Sequence, residues 1–188
     1  ASQGASVVIA MINHTGQETN LFNERMCEGR VQRILLPLSL DLKGELLILE
    51  RLRTESLMLM NQAKQSTGLV AKIARWASIA AFAGASRTAL RLGIQIADLA
   101  ANLKVKNLVY TFEGHAWERV SNALVRRVVP ETQCIAYQHA ALTRRQHAIR
   151  RAIGRFYDPD VILASNRFAV NELRGLVPKS RMIVLGSC

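Results

Sequence analysis

Short apolar runs alternate with longer amphipathic segments along the whole chain. Six of these runs are typical of buried parallel strands because they are short, continuous and rich in β-branched residues. They span residues 6–12, 34–38, 108–112, 134–137, 161–164 and 181–185. The segments between them repeat apolar residues at helical spacing. The pattern predicts an α/β fold, Rossmann-like and three-layered (α/β/α), with a mainly parallel sheet and a single domain over residues 1–188.

The helical segments are predicted over residues 17–29, 41–64, 69–82, 87–103 and 167–176, with a further helix opening at Ala116. Segment 69–82 is unusually apolar and allows two interpretations. The preferred one is a buried crossover helix. The alternative is a helix lying in a membrane interface, with Lys72, Arg75 and Trp76 near anionic headgroups.

Polar side chains follow the apolar runs at the points where the strands end. Because the carboxyl ends of parallel strands meet at one edge of a sheet, we expect these side chains to converge there. A carboxylate and an imidazole at such an edge can act as a general base toward a hydroxyl group. Glu118, in the first turn of its helix, is interpreted instead as complementing the helix dipole. The strand-end residues are Glu113, His115, Gln138, His139, Ser165, Asn166, Gly186 and Ser187.

The net charge of +11 predicts attraction to polyanions or phosphorylated molecules. Segment 143–156 is rich in arginine, and guanidinium groups at a helix start suit phosphate, so Arg144 and Arg145 are candidate anion contacts. Nucleic acid is the competing partner for the same charge. An aromatic content of 5% and the lack of an RNA-binding motif argue against it.

Several classes of site lack their sequence signatures. The turn after the first strand is Asn13-His14-Thr15-Gly16, not a glycine-rich dinucleotide loop, and no phosphate-binding Walker loop is present. No set of metal ligands is suggested. Three cysteines form no even framework, which favours a reducing compartment, and Cys134 is interpreted as a buried small hydrophobe. Neither a signal peptide nor an apolar window of membrane-spanning length is seen, so a cytoplasmic location is expected.

The sequence Tyr110-Thr111-Phe112-Glu113-Gly114-His115-Ala116-Trp117-Glu118, followed by Tyr137-Gln138-His139, resembles a strand–helix junction of GT-B-type glycosyltransferases. Residues 159–166 and 184–187 extend the likeness, which covers about residues 87–187. The resemblance is to the N-terminal domain of bacterial surface-polysaccharide biosynthesis proteins.

This resemblance implies one of two Rossmann-like domains that face each other across a cleft. The chain would be the acceptor-side half of a longer protein, with the domain that binds the nucleotide-sugar donor lying outside it, so the chain alone is expected to be inactive. Glu113 or His139 would be the catalytic base. The implied substrate-binding residues are His115, Gln138, Arg144, Arg145, Asn166 and Ser187. No cofactor is implied, and contact with the inner face of the membrane accords with the positive charge.

Two other functions remain open from the sequence. One is a non-catalytic α/β module whose basic surface binds nucleic acid or an anionic membrane. The other is a related sugar-nucleotide epimerase, which would share the fold and differ in its product.

Overall fold

The computed structural model describes residues 6–14, 31–143, 146–177 and 179–186. It confirms the α/β class, with five helices and six strands among those residues. The chain divides into two compact units, Ala1–Leu47 and Ile48–Cys188. The predicted helix at 17–29 lies outside the described residues.

The first unit contains a two-stranded parallel sheet. Strand β1 (Val8–Ile12) pairs with β2 (Gln32–Leu36) from Val8 opposite Gln32 to Ile12 opposite Leu36. The predicted second strand is confirmed, but it starts earlier and stops before Pro37. Proline has no backbone N–H, so it cannot continue the donor side of a ladder.

Three helices follow in sequence. They are α1 (Leu42–Gln65), α2 (Gly68–Ala80) and α3 (Gly84–Leu103). At the start of α1 the Asp41 carboxylate accepts a hydrogen bond from the Gly44 N–H at 2.7 Å, which satisfies one of the free amides of a helix N-terminus. Helices α1 and α2 are joined where the Ser56 hydroxyl donates to the Ser78 carbonyl at 2.9 Å.

The second unit contains a four-stranded parallel sheet in the order β3-β4-β5-β6. Its strands are β3 (Asn107–Thr111), β4 (Gln133–Gln138), β5 (Val161–Ala164) and β6 (Arg181–Val184). Helix α4 (Ala116–Val128) connects β3 to β4, and α5 (Arg167–Arg174) connects β5 to β6. The βαβ unit predicted around residues 107–139 is therefore confirmed.

The two faces of this sheet differ in burial. One face carries the core, in which Phe112, Ala136 and Ile162 pack with Ile149, Leu173 and Val177. On the other face most residues in register are partly or largely exposed, among them Val109 and Ile183, while Val161 is buried. Apolar cover is thus shown for one face within the described residues.

The preferred interpretation of segment 69–82 as a buried crossover helix is wrong, because α2 exposes its large side chains. Leu69 is 71% exposed and Trp76 is 75% exposed, while Ala74 and Ser78 are buried. Within the described part of the chain, no helix has the length and apolar character needed to cross a membrane.

The connection from β4 to β5 contains the basic segment. Residues 146–160 form turns, bends and irregular backbone. The side chain of Arg150 donates to the Thr143 carbonyl at 2.8 Å and contacts Glu172 at 3.2 Å. This arginine therefore holds the connection together and ties it to α5.

Candidate functional site

The carboxyl ends of the four parallel strands lie at one edge, as the sequence predicts. Backbone hydrogen bonds continue the ladder beyond the strands, from Phe112 N–H to the Tyr137 carbonyl and from Ser165 N–H to the Gln138 carbonyl. The Leu185 N–H bonds the Ala164 carbonyl in the same way. The residues that follow each strand are therefore held side by side at this edge.

Glu113 lies between two histidines at this edge. Its Oε2 is 3.0 Å from Nε2 of His115, and its Oε1 is 3.9 Å from Nε2 of His139. An ionised carboxylate only accepts hydrogen bonds, so the His115 ring is the donor in the shorter contact. The longer distance is an ion-pair separation that exceeds a hydrogen bond. The three side chains are 36–57% exposed, so a solute can reach them.

The Glu118 side chain binds the backbone of the turn that carries Glu113 and His115. Its carboxylate accepts hydrogen bonds from the N–H groups of Glu113, Gly114 and His115, at 3.1, 2.8 and 2.9 Å. These amides precede α4 and would otherwise be unsatisfied. The interpretation of Glu118 as an N-terminal helix residue is confirmed. Burial raises the pKa of this carboxyl above its usual value, against the lowering effect of the backbone amides and of the nearby His115.

Gly114 allows two backbone segments to meet beside the cluster. Its φ is +83°, and a Cβ at this position would lie 2.3 Å from the Ile149 nitrogen and 2.4 Å from the Ala148 carbonyl carbon. Only glycine fits both the left-handed backbone and the close approach. The β4–β5 connection therefore passes directly against the turn that presents Glu113 and His115.

A buried ion pair fixes that connection in place. The Arg119 guanidinium, on α4, pairs with the Asp158 carboxylate at 2.5 Å, and each side chain is only 4% exposed. Arg119 also donates to the Arg151 carbonyl at 3.0 Å and lies over the Phe112 ring. Asp158 accepts the N–H groups of Ile153 and Gly154. The pair thus links α4, the strand end at Phe112 and the connection in one network.

Gln138 and Asn166 form internal hydrogen bonds at the same edge. The Gln138 side chain is buried; its Oε1 accepts from the Ser165 hydroxyl at 3.2 Å, and its amide donates to the Ala140 carbonyl. Asn166 caps α5, since its Oδ1 accepts the Ala169 N–H at 2.8 Å. Gln138 thus ties the ends of β4 and β5 together, and Asn166 starts α5 directly after β5, beside the exposed cluster.

The remaining sequence candidates lie outside the described residues. These are Arg144, Arg145 and Ser187. Across residues 6–14, 31–143, 146–177 and 179–186, no group of three or more histidine, cysteine, aspartate or glutamate side chains is arranged to hold a metal ion.

Sequence reasoning missed Arg119 and Asp158. The two are 39 positions apart, and Arg119 falls in a helix where an arginine is ordinarily solvated. Helical spacing does contain a signal, because Arg119 lies next to Glu118 and one turn from Asn122 on the face that α4 buries. Several polar residues on the inward face of one helix indicate an internal network.

The arrangement can remove a proton from a bound hydroxyl group. Glu113 offers Oε1 as an acceptor while its other oxygen is occupied by His115. His139, across a gap of 3.9 Å, offers a second polar group to the same solute. Carboxylate and imidazole are the groups most often used for such proton transfer.

No protein-family model matches the chain, and no curated protein or solved structure is significantly similar to it.

Proposed function

We propose that this chain is the N-terminal, acceptor-side half of a GT-B-type glycosyltransferase that acts in surface-polysaccharide synthesis. In this proposal the fold is the three-layer, Rossmann-like half of that architecture, and a second domain binds a nucleotide-sugar donor. The observation that carries the proposal is the exposed Glu113 carboxylate placed between His115 and His139 at the carboxyl edge of a parallel sheet. Ligands bind at this edge in open α/β sheets.

Glu113 is the general base of the proposed reaction. As the acceptor oxygen attacks the anomeric carbon of the donor sugar, its proton passes to Oε1 of Glu113, and the bond from that carbon to the nucleotide phosphate breaks. General-base assistance of this kind contributes about 10²–10⁴-fold to a rate. His115, bonded to Oε2 at 3.0 Å, fixes the orientation of the carboxylate.

His139 is the second contact for the acceptor hydroxyl. Its Nε2 lies 3.9 Å from Oε1 of Glu113, so a hydroxyl group placed between them contacts both. If His139 takes the proton itself, Glu113 stabilises the imidazolium that forms, and both substitutions below still lower the rate of transfer. Gln138 ties the ends of β4 and β5 together, and Asn166 caps the helix that follows β5. Arg144, Arg145 and Ser187 are assigned to anionic parts of the substrates on the resemblance alone.

The proposed reaction needs no metal ion or cofactor, and the proposed place of action is the cytoplasmic side of the membrane, where nucleotide sugars are made. The partners are then a nucleotide sugar and a carbohydrate acceptor. The net charge of +11 suits substrates that carry phosphate.

The experiment is sugar transfer by the full-length protein, measured with a panel of labelled nucleotide sugars and a membrane extract as the source of acceptor. Glu113→Gln and His139→Ala are each expected to lower the rate by about 10²-fold or more. Glu131→Gln, the same change at an exposed acid after α4, is the matched control and is expected to keep the wild-type rate. Wild-type transfer by both Glu113→Gln and His139→Ala would refute the assignment of the site.

The net charge also favours a second function, a non-catalytic module that binds polyanions. Salt separates the two proposals, because polyanion binding falls steeply as salt rises. Binding that ignores nucleotide sugars and disappears at high salt would favour the module. A changed sugar without transfer would instead indicate an epimerase.

A further inference from the structure

Helix α2 presents its large apolar side chains outward and its small ones inward. The outward set is called here the α2 outer face; it consists of Leu69 and Val70, followed at intervals of three residues by Ile73, Trp76 and Ile79. All five are more than half exposed, and Phe82 just beyond the helix is exposed as well. The inward positions include Ala74 and Ser78, both buried.

This distribution reverses that of a helix packed on a protein core. The inward side of α2 meets α1 through the Ser56–Ser78 contact, where small side chains allow the helices to come close. The remaining apolar area is then turned away from that contact. A continuous exposed apolar patch on a folded protein marks a surface that binds something.

The charge around α2 indicates which partner fits. Lys72 and Arg75 are exposed on the helix, and the chain has no aspartate or glutamate between Glu55 and Asp98. That stretch carries five lysines or arginines. Apolar residues that include a tryptophan, bordered by cations without compensating acids, are typical of helices that lie in the headgroup region of an anionic bilayer.

The length of α2 indicates how the helix would be oriented relative to a bilayer. Its 13 residues span about 20 Å at the rise of an α-helix, less than the hydrocarbon thickness of a bilayer. The outer face also runs along the length of the helix and leaves Ala74 and Ser78 on the opposite side. Both features place the helix axis parallel to the bilayer surface.

We propose that the α2 outer face docks this protein onto an anionic phospholipid bilayer, with Leu69, Ile73 and Trp76 entering the headgroup region. Lys72 and Arg75 contact lipid phosphates at the same depth. This docking does not rest on the proposed glycosyl transfer, because it is measured without donor or acceptor. Its failure and the failure of the enzymatic proposal are therefore separate results.

The test is flotation of the purified chain with vesicles of phosphatidylcholine alone or mixed with phosphatidylglycerol. We expect binding at least about tenfold stronger to the anionic vesicles, since each cation near the surface adds to the attraction. Ile73→Glu combined with Trp76→Glu is expected to weaken that binding by about tenfold or more. Lys72→Gln combined with Arg75→Gln is expected to remove most of the preference for phosphatidylglycerol while retaining the apolar contact.

Ile153→Glu combined with Phe156→Glu is the matched control, because it places the same two charges on an aliphatic and an aromatic residue that are 54% and 65% exposed and lie outside α2. It is expected to leave vesicle binding unchanged. In a Trp117→Phe background, Trp76 fluorescence should shift to shorter wavelength on anionic vesicles and stay unshifted with soluble phosphatidylglycerol headgroup. Far-UV circular dichroism confirms that each variant is folded.

Equal vesicle binding by the wild type and the Ile73→Glu/Trp76→Glu variant would overturn the proposal. Sedimentation velocity supplies a second decisive outcome. If the chain ignores vesicles but forms a dimer that this double variant dissociates, the α2 outer face is an interface between two copies, and the bilayer proposal is wrong.

Discussion

Arg119 and Asp158 form an ion pair in which both side chains are withdrawn from solvent, 39 residues apart in the chain. Every oxygen of Asp158 has a donor, since Ile153 and Gly154 contribute their N–H groups. Burial lowers the pKa of Arg119, and the Asp158 charge opposes that change. The Asp158 carboxylate is thus fully paired, whereas Nε of Arg119 is buried and makes no hydrogen bond within the described residues.

The first prediction is that Arg119→Met destabilises the fold by about 3–5 kcal/mol, because it leaves Asp158 charged and buried without its partner. Urea denaturation gives the free energy of unfolding. Arg127→Met, the same change at an exposed position of α4, is the control and should alter stability by less than about 0.5 kcal/mol.

Adding Asp158→Asn to Arg119→Met removes the stranded charge. The double variant should therefore lose less stability than the sum of the two single losses. Additive losses would show that the two side chains stabilise the fold independently, contrary to the geometry.

The second prediction concerns the two glycines that flank the Arg119 network. At Gly114 a Cβ would overlap the backbone of Ala148 and Ile149, whereas at Gly154, where φ is +126°, it would meet nothing within 4 Å. Both alanine substitutions carry backbone strain. Gly114→Ala adds an overlap with backbone atoms and should cost about 1–3 kcal/mol more than Gly154→Ala in urea denaturation. Equal costs would mean that the connection can move away from Gly114.

The sequence predicts the βαβ unit around residues 107–139 because two continuous apolar runs are separated by one helical period. The clustering of Glu113, His115 and His139 follows from the same reasoning, since parallel strands end at one edge. The distances between these three side chains cannot be predicted from the sequence. They depend on the turn at Gly114, which is shaped by a segment that returns more than 30 residues later in the chain.

For helix α2 the sequence does not predict which side of the helix faces inward. An Ala-rich apolar segment has the same composition whether its large or its small residues face inward. The orientation is set by the Ser56–Ser78 contact with α1, a pairing across 22 residues that periodicity does not encode. The path of the arginine segment is likewise not encoded in its composition. In the fold, the Arg119–Asp158 pair holds its described part in turns.

The third prediction is a pH dependence from Glu118. Its folded-state pKa is raised above the ordinary value of 4.5, so the folded protein holds this proton more tightly than the unfolded chain does. The resulting stabilisation is complete at pH values below the pKa of Glu118 in the unfolded chain. It is lost as the pH rises through the higher pKa of Glu118 in the folded protein. Relative to Glu118→Gln, which does not titrate, the wild type should lose stability over that window. Urea denaturation across a pH series measures the difference, and a difference that is flat or grows with pH would contradict it.

Glu118→Ala tests the second role of this side chain. It removes the acceptor for three backbone N–H groups, whereas glutamine keeps an oxygen for those of Gly114 and His115. At neutral pH the alanine variant should therefore be less stable than the glutamine variant by about 1–3 kcal/mol.

The last prediction is that the Cys134 thiol is inert in the folded protein. It is fully buried in β4, and burial raises its pKa from 9.0 to about 11. At pH 8 that change lowers the thiolate fraction roughly 100-fold, and lack of access slows the reaction further. In a Cys27→Ser/Cys188→Ser variant, which leaves only this thiol, labelling by a disulfide reagent should be slow in buffer and should accelerate with urea in parallel with unfolding. Rapid labelling of the folded variant would instead show that the sheet opens at β4, the strand whose carboxyl end positions His139.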